Sequence, residues 1–195
     1  MIGSSLLASA GGDRVSVVLS LEPAFPAARA FGPAFTVQGA PGDNLALHHA
    51  ISQAAPGEVV VLAVGGERKV AHCGEIVAAA AKKRGVAGIV IDGAIRDLVE
   101  LTRIGLPVFH LGVSPRGPAK NGPGALRVPV ELDGVRIEPG DLICADADGI
   151  AIVPAALGDE LQALVAELEE KEQRILDAVW LGESTVDIFG LKELG

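Results

Sequence analysis

The stretch that most constrains how this chain can fold is residues 74–97, GEIVAAAAKKRGVAGIVIDGAIRD. A glycine turn opens a helix, Glu75 to Arg84, with alanines along one side, and Gly85 suits the left-handed cap that ends it because it has no Cβ. The apolar run Gly88 to Ile91 then reads as a strand in a sheet interior. A second helix, Ile95 to Ile104, carries Arg96 and Asp97 in its first turn. Ligands of open α/β sheets bind at the strand ends, where backbone pairing stops and side chains are free. Asp92, Gly93, Arg96 and Asp97 fall at such an end.

The flanking pattern extends this unit in both directions. Gly32 to Pro41 alternates as a strand, Asp43 caps a helix Asn44 to Ala55, and Pro56-Gly57-Glu58 leads into a strand Val59 to Val64. After Gly105, Pro107 to Leu111 reads as another strand. Successive strand–helix–strand units imply neighbouring parallel strands with right-handed crossovers. Beyond the Gly- and Pro-rich loop Ser114 to Gly124, short strands are expected at Leu126 to Val130, Val135 to Ile137, Leu142 to Ala145 and Ile150 to Val153. The tight turns at Asp133-Gly134 and Asp148-Gly149 imply antiparallel pairing there. A long helix, roughly Ala155 to Trp180, carries Leu157, Leu161, Leu164, Val165, Leu168, Ile175 and Val179 near helical spacing. Residues 1–30 show no periodicity, and RVSVVLSL fits strand or helix equally. The chain, residues 1–195, reads as one α/β domain with a poorly defined opening at 1–30.

Composition narrows the function. Hydrophobic residues make up 49% and aromatics 3%, so the core must be built from Ala, Val, Leu and Ile. A net charge of −9 argues against direct nucleic-acid binding, since polyphosphate is repelled. No run reaches the roughly 20 apolar residues a membrane helix needs. Cys73 and Cys144 form no CxxC motif and no signal sequence opens the chain, so a soluble protein of the reducing cytoplasm is expected. Walker, dinucleotide-binding, GxSxG and zinc-cluster motifs are missing from the sequence.

The candidate residues admit two readings each. On a helix Arg96 and Asp97 would point about 100° apart, one holding an anionic substrate and the other a metal; alternatively Asp97 complements the helix dipole and Arg96 pairs with Glu100. Asp92 either caps the following helix or takes part in catalysis. Glu75 opens its helix where the N–H groups of Ile76 and Val77 form an anion site, or is simply a first-turn acid. Neighbouring His72 and Cys73 point to opposite faces of an extended segment, which argues against a thiol–imidazole pair. His48 and His49 share no metal-ligand spacing and read as exposed or satisfied histidines. His110 fits a site or a structural role. Asp146 and Asp148 bracket a turn.

These residues together resemble the RraA-like family, which includes metal-dependent 4-hydroxy-4-methyl-2-oxoglutarate aldolases and regulators of ribonuclease E activity. The resemblance runs from about Gly32 to Glu172 and rests on GPAFTV, PGEVVVL, GE followed by twenty residues and then RD, LPVF, SPRGPAKNGPG and PGDLICADADGIAIVP. It implies a swivelling β/β/α three-layer domain with a central mixed sheet and a long C-terminal helix at a subunit interface, assembled as a homotrimer or hexamer. In the aldolase branch the matching residues have defined roles: Asp97 binds Mg²⁺ or Mn²⁺ directly, and Arg96 binds the pyruvyl group. Glu75 holds metal water, and Gly74, Glu75, Ile76 and Val77 frame the substrate carboxylate. Glu172 of a neighbouring subunit also reaches the metal through water.

The implied activity is a class II aldolase releasing pyruvate from a 4-hydroxy-2-oxo acid through a metal-stabilised enolate, with oxaloacetate decarboxylation alongside. The alternative is a non-catalytic, protein-binding regulator of a ribonuclease. Lys69, Arg116 and Lys120 lie on loops that attract a dicarboxylate or are simply solvated. Glu75 is one methylene longer than the aspartate the family also uses there.

Overall fold

The computed structural model describes residues 2–192. In chain order its elements are α1 (Ser4–Gly11), β1 (Ser16–Val18), β2 (Glu22–Pro23), β3 (Ala30–Gln38), α2 (Leu45–Gln53), β4 (Val59–Ala63), β5 (Ala71–Cys73), α3 (Glu75–Lys83), β6 (Gly88–Ile91), β7 (Ala94–Ile95), α4 (Leu98–Ile104) and β8 (Val108–His110). There follow β9 (Gly112–Val113), β10 (Ala125–Leu126), β11 (Val130–Leu132), β12 (Val135–Ile137), β13 (Leu142–Asp146), β14 (Gly149–Val153), α5 (Gly158–Trp180) and α6 (Thr185–Ile188). Short 3₁₀ turns at Gly12–Arg14 and Ala155–Leu157 precede β1 and α5.

A curled mixed sheet runs in the order β1-β14-β13-β3-β4-β6-β8-β2, with β10 also paired to β3. Its centre, β3-β4-β6-β8, is parallel, as the strand–helix–strand pattern requires. Both flanks are antiparallel, built from β1, β13 and β14 on one side and β2 on the other. Every residue of β4 and β6 is buried, because alternate side chains feed two separate cores. Val60, Leu62, Ile89 and Ile91 pack with α2, α3 and α4 through Leu47, Ile51, Ala78, Ala81 and Leu101. Val59, Val61 and Val90 face the opposite layer, where Val130, Leu132 and Ile137 of the β11–β12 hairpin cover them. The result is a β/β/α sandwich. A third cluster joins Leu7 of α1 and Leu161 and Val165 of α5 to Cys144, Ala151 and Val153.

Several expectations change in detail. The opening segment, unreadable in sequence, supplies α1 and the edge strands β1 and β2, whose partners lie far along the chain. The strand expected at Leu126 to Val130 is broken: Arg127 takes φ 53° and only β10 pairs with β3. Arg127 is held there by two hydrogen bonds to Glu58 and by stacking 4.1 Å over Phe35. The long helix begins as a 3₁₀ turn, and of its expected apolar stripe only Leu161 and Val165 are buried. Among the described residues no helix is long and apolar enough to cross a membrane.

The feature that positions the site is a second, three-stranded parallel sheet, β5-β7-β9. Each of its strands continues the chain after β4, β6 and β8 respectively, so the three connections leave the main sheet together. In its register Cys73 lies opposite Ile95, which brings the next residues, Gly74 and Arg96, side by side.

Candidate active site

Gly74 and Arg96 meet closely. A Cβ on Gly74 would lie 2.5 Å from Asp97 Oδ2 and 2.9 Å from Arg96 Cγ, so only glycine allows this approach. Asp97 then departs from the sequence expectation. Ile95 closes β7, Arg96 is a link, and Asp97 is the N-cap of α4 in the left-handed conformation, φ 61° and ψ 43°. The two side chains that a helix would splay by about 100° are instead paired, with Arg96 Nε 3.5 Å from Asp97 Oδ2. An Arg96–Glu100 pair does not form among the described residues.

Asp97 also reaches across to α3. Its Oδ2 accepts the Glu75 N–H at 3.0 Å, capping that helix from a position 22 residues away. The N–H groups of Ile76 and Val77, which a helix start leaves without intrahelical partners, have no acceptor among the described residues. The Glu75 side chain is exposed. Asp92 neither caps a helix nor enters the site: it accepts the N–H groups of Val64, Gly65 and Gly66 and so pins the loop after β4. Burial pushes its carboxyl above the usual range, and these donors offset that only in part.

Next to this junction is a cavity of about 100 Å³. Gly74, Ile76, Val77 and Arg96 line it together with Asn44, His48 and Lys120. Of the residues expected from the sequence, Gly74, Glu75, Ile76, Val77, Arg96 and Asp97 are therefore brought together. Glu172 is exposed on α5 and shares neither this cavity nor a hydrogen bond with them among the described residues. Cys73 is buried and inert, its thiol pushed up to about 12 by burial and then by the Asp97 charge. His72 Nε2 accepts the Gly42 N–H at 3.1 Å and its other nitrogen faces Gly93.

His48 is neither exposed nor satisfied, contrary to expectation. Its Nε2 is buried without a partner, and so is Oδ1 of Asn44. The spacing of Asn44 and His48, four residues apart on one helical face, was the signal in the sequence.

No group of three or more His, Cys, Asp or Glu side chains converges among the described residues, so a tight all-protein cage for a metal is not built within one chain. A hard cation such as Mg²⁺ keeps several waters and needs only one or two carboxylates. Asp97 fits that demand, because only its Oδ2 is engaged by protein and Oδ1 is left without a protein donor among the described residues.

Comparison with known proteins decides the family. A profile described as "RraA-like: Aldolase/RraA" matches residues 7–152. The chain belongs to the RraA-like family. A Halalkalibacterium halodurans relative, provisionally named a 4-hydroxy-4-methyl-2-oxoglutarate aldolase, is 42% identical over 76% of this chain and 72% of its own length. The RraA-like fold is also seen in the RNA-processing inhibitor RraA from Thermus thermophilis, with a TM-score of 0.74 and 27% identity over 79% of this chain and 93% of that one. A Geobacillus kaustophilus structure titled as an S-adenosylmethionine: 2-dimethylmenaquinone methyltransferase gives 0.75 and 33%, over 78% and 95%. Three names on one RraA-like scaffold mean that the site, not the fold, must decide function.

Proposed function

We propose that this RraA-like protein is a divalent-metal-dependent carbon–carbon lyase. Its substrate would be 4-hydroxy-4-methyl-2-oxoglutarate or a related 4-hydroxy-2-oxo acid cleaved to pyruvate, with oxaloacetate decarboxylation as a second activity. The observation that carries this reading is the junction itself. A carboxylate, a guanidinium and two open helix N–H groups converge beside one small cavity. The N–H groups of Ile76 and Val77 would take the substrate's 1-carboxylate. Arg96 would bind the oxo-acid end and stabilise the negative charge left when the C3–C4 bond breaks, giving the enolate of pyruvate from either substrate. Asp97 would hold Mg²⁺ or Mn²⁺, which would supply a Lewis acid for the same developing charge. Glu75, and Glu172 of a neighbouring subunit, would act through water. The methyltransferase reading finds no glycine-rich nucleotide loop, and a non-catalytic regulator would need none of these groups.

The assembly belongs to this reading. Past Val165 no apolar side chain of α5 or α6 is fully buried among the described residues, and Trp180 and the next residue, Leu181, are each 84% exposed. A homotrimer or hexamer would bury them and bring in Glu172.

The test is pyruvate release from both substrates with Mg²⁺, with Mn²⁺ or with EDTA, comparing the parent with Asp97→Ala. Metal-dependent release that vanishes in the variant is expected. Release indifferent to EDTA or to the substitution, or no turnover with either metal, overturns the proposal.

A further inference from the structure

His72 lies in β5, two residues before Gly74, and is 1% exposed. Chemistry at the Arg96–Asp97 junction does not use it, yet two separate parts of the cavity lining are tied to it. Its Nε2 accepts the Gly42 N–H at 3.1 Å, and its carbonyl accepts from Asn44 Nδ2 at 3.0 Å. The turn held in this way carries the loop 114–124: Ala119 N–H donates to the Gly42 carbonyl at 2.9 Å, and Asn44 N–H donates to the Ala119 carbonyl at 3.0 Å. Lys120 follows directly and lines the cavity. In the other direction the chain runs from His72 to Cys73, whose carbonyl accepts the Arg96 N–H at 2.9 Å. One ring therefore links the backbone that carries Arg96 to the backbone that carries Lys120.

An acceptor role dictates the state of that ring. Nε2 must be free of hydrogen to accept, so the neutral imidazole carries its proton on Nδ1, which is packed against Gly93. Protonation makes both nitrogens donors, and the Gly42 N–H would then face another N–H. Burial holds the ring below its usual 6.5, while the Ala94 backbone and the charges of Glu67 and Asp43 pull the other way. Glu67 is on the loop after β4 and Asp43 on the turn before α2; His48, Lys120 and Arg96 share the cavity, and Asp97 lies beside Cys73. The acceptor is present at neutral pH and is lost in acid.

We propose that His72 is a positioning residue: its unprotonated Nε2 holds the Gly42–Asn44 turn, and through it the loop that carries Lys120, in register with the Gly74–Arg96 junction. Protonating the ring frees the loop and weakens substrate binding while the Arg96–Asp97 pair stays in place. The effect on binding rests on the oxo-acid reading; the hold on the loop does not.

Amide hydrogen exchange, read by mass spectrometry and corrected for the intrinsic rate, is compared for residues 39–47 and 114–124 in the parent, His72→Gln and His72→Leu. The Gln amide oxygen can replace Nε2 as an acceptor and does not titrate, whereas Leu offers no acceptor. In the parent, both segments should exchange about tenfold faster at about pH 4.5 than at about pH 7.5, the size expected when a buried acceptor is lost. His72→Gln should stay protected at both and His72→Leu should be fast at both, with β4 protected throughout as the control for folding. His48 also titrates below its usual range, and the flat response of His72→Gln is what assigns the effect to His72. With Mg²⁺, KM for oxaloacetate should rise about tenfold in His72→Leu with kcat within about twofold, and His72→Gln should keep the parent's KM at neutral pH. Parent protection indifferent to pH, His72→Leu as protected as the parent, or His72→Gln as labile as His72→Leu overturns the hold on the loop. An unchanged KM in His72→Leu overturns the positioning role. A parent with no turnover overturns the oxo-acid reading and the positioning role with it.

Discussion

Asp97 occupies a backbone conformation that L-residues with a Cβ enter at a cost of about 1 kcal/mol or more. The cost is tolerated because the left-handed turn is what aims the carboxylate at both Arg96 and the start of α3. Asp97→Ala keeps the strain and loses the carboxylate; Asp97→Gly loses both. Urea denaturation should therefore find Asp97→Gly more stable than Asp97→Ala by about 1 kcal/mol, with both variants inactive in pyruvate release. Gly74 bears on the same geometry from the other side. Its Cβ would displace Asp97 and Arg96, and a displacement near 1 Å in a catalytic constellation costs on the order of 10²-fold. Gly74→Ala should lose about that much kcat/KM while the circular dichroism spectrum is kept.

At the scale of elements, the start of α2 and the loop 114–124 form one unit through Asp43. Its Oδ1 accepts the Leu45 N–H at 2.8 Å and its Oδ2 takes two donors from the loop. The expectation that Asp43 helps start this helix holds, although Asn44 is the formal N-cap. Asp43→Ala leaves three backbone donors without an acceptor, and losing buried partners of this kind costs about 1–3 kcal/mol. A drop of that size in the free energy of unfolding is expected, together with a higher KM, because the loop carries Lys120. An unchanged KM would separate the loop from the site.

For the whole molecule, two measurements report on groups spread through the fold. His72 and His110 are buried and held below their usual 6.5, burial being the main cause in each. The unfolded chain therefore takes up protons first as pH falls through 6.5, and stability drops with it. Asp43 and Asp146 act lower. Burial raises each, but hydrogen bonds outweigh it, from Leu45, Asn121 and Gly122 for Asp43 and from Ser4, Asp148 and Arg29 for Asp146. Their contribution is present above the ordinary value of 3.8 and is lost as pH falls through the lower folded values. Asp92 works the other way: its folded value is raised, so the native chain takes up that proton first and recovers stability as pH falls towards 3.8. In high salt, which screens relief of the net negative charge, Tm of Asp92→Asn, which lacks that offset, should decline from pH 6.5 downward and again below 3.8; a Tm of this variant that rises between pH 6.5 and 5 contradicts this. The lone tryptophan, Trp180, lies on the uncovered arm. If the arm is an assembly surface, Trp180 emission should shift to the red on dilution as the oligomer dissociates, and an emission maximum independent of concentration would count against assembly there.

Much of the central layer was legible in the residues alone: the buried strand Gly88–Ile91 with the helix before it, the turn at Asp133–Gly134 and the parallel order of the strand–helix units. These depend on local quantities, namely the period of apolar residues and the glycines that accept positive φ. The motif spacing likewise marked Glu75, Arg96 and Asp97 through the resemblance. What the sequence could not show was set by partners distant along the chain. β1 and β2 are two or three residues long and become strands only by pairing with β14 and β8. β5, β7 and β9 are too short to show a period, yet their register sets Gly74 against Arg96. Asp97 left the helix for its cap, Asp92 turned to the loop behind it, and His48 and Lys120 met across a cavity that no spacing announces. Local conformation is encoded residue by residue, whereas the pairing of distant backbone groups is decided only when the whole sheet closes.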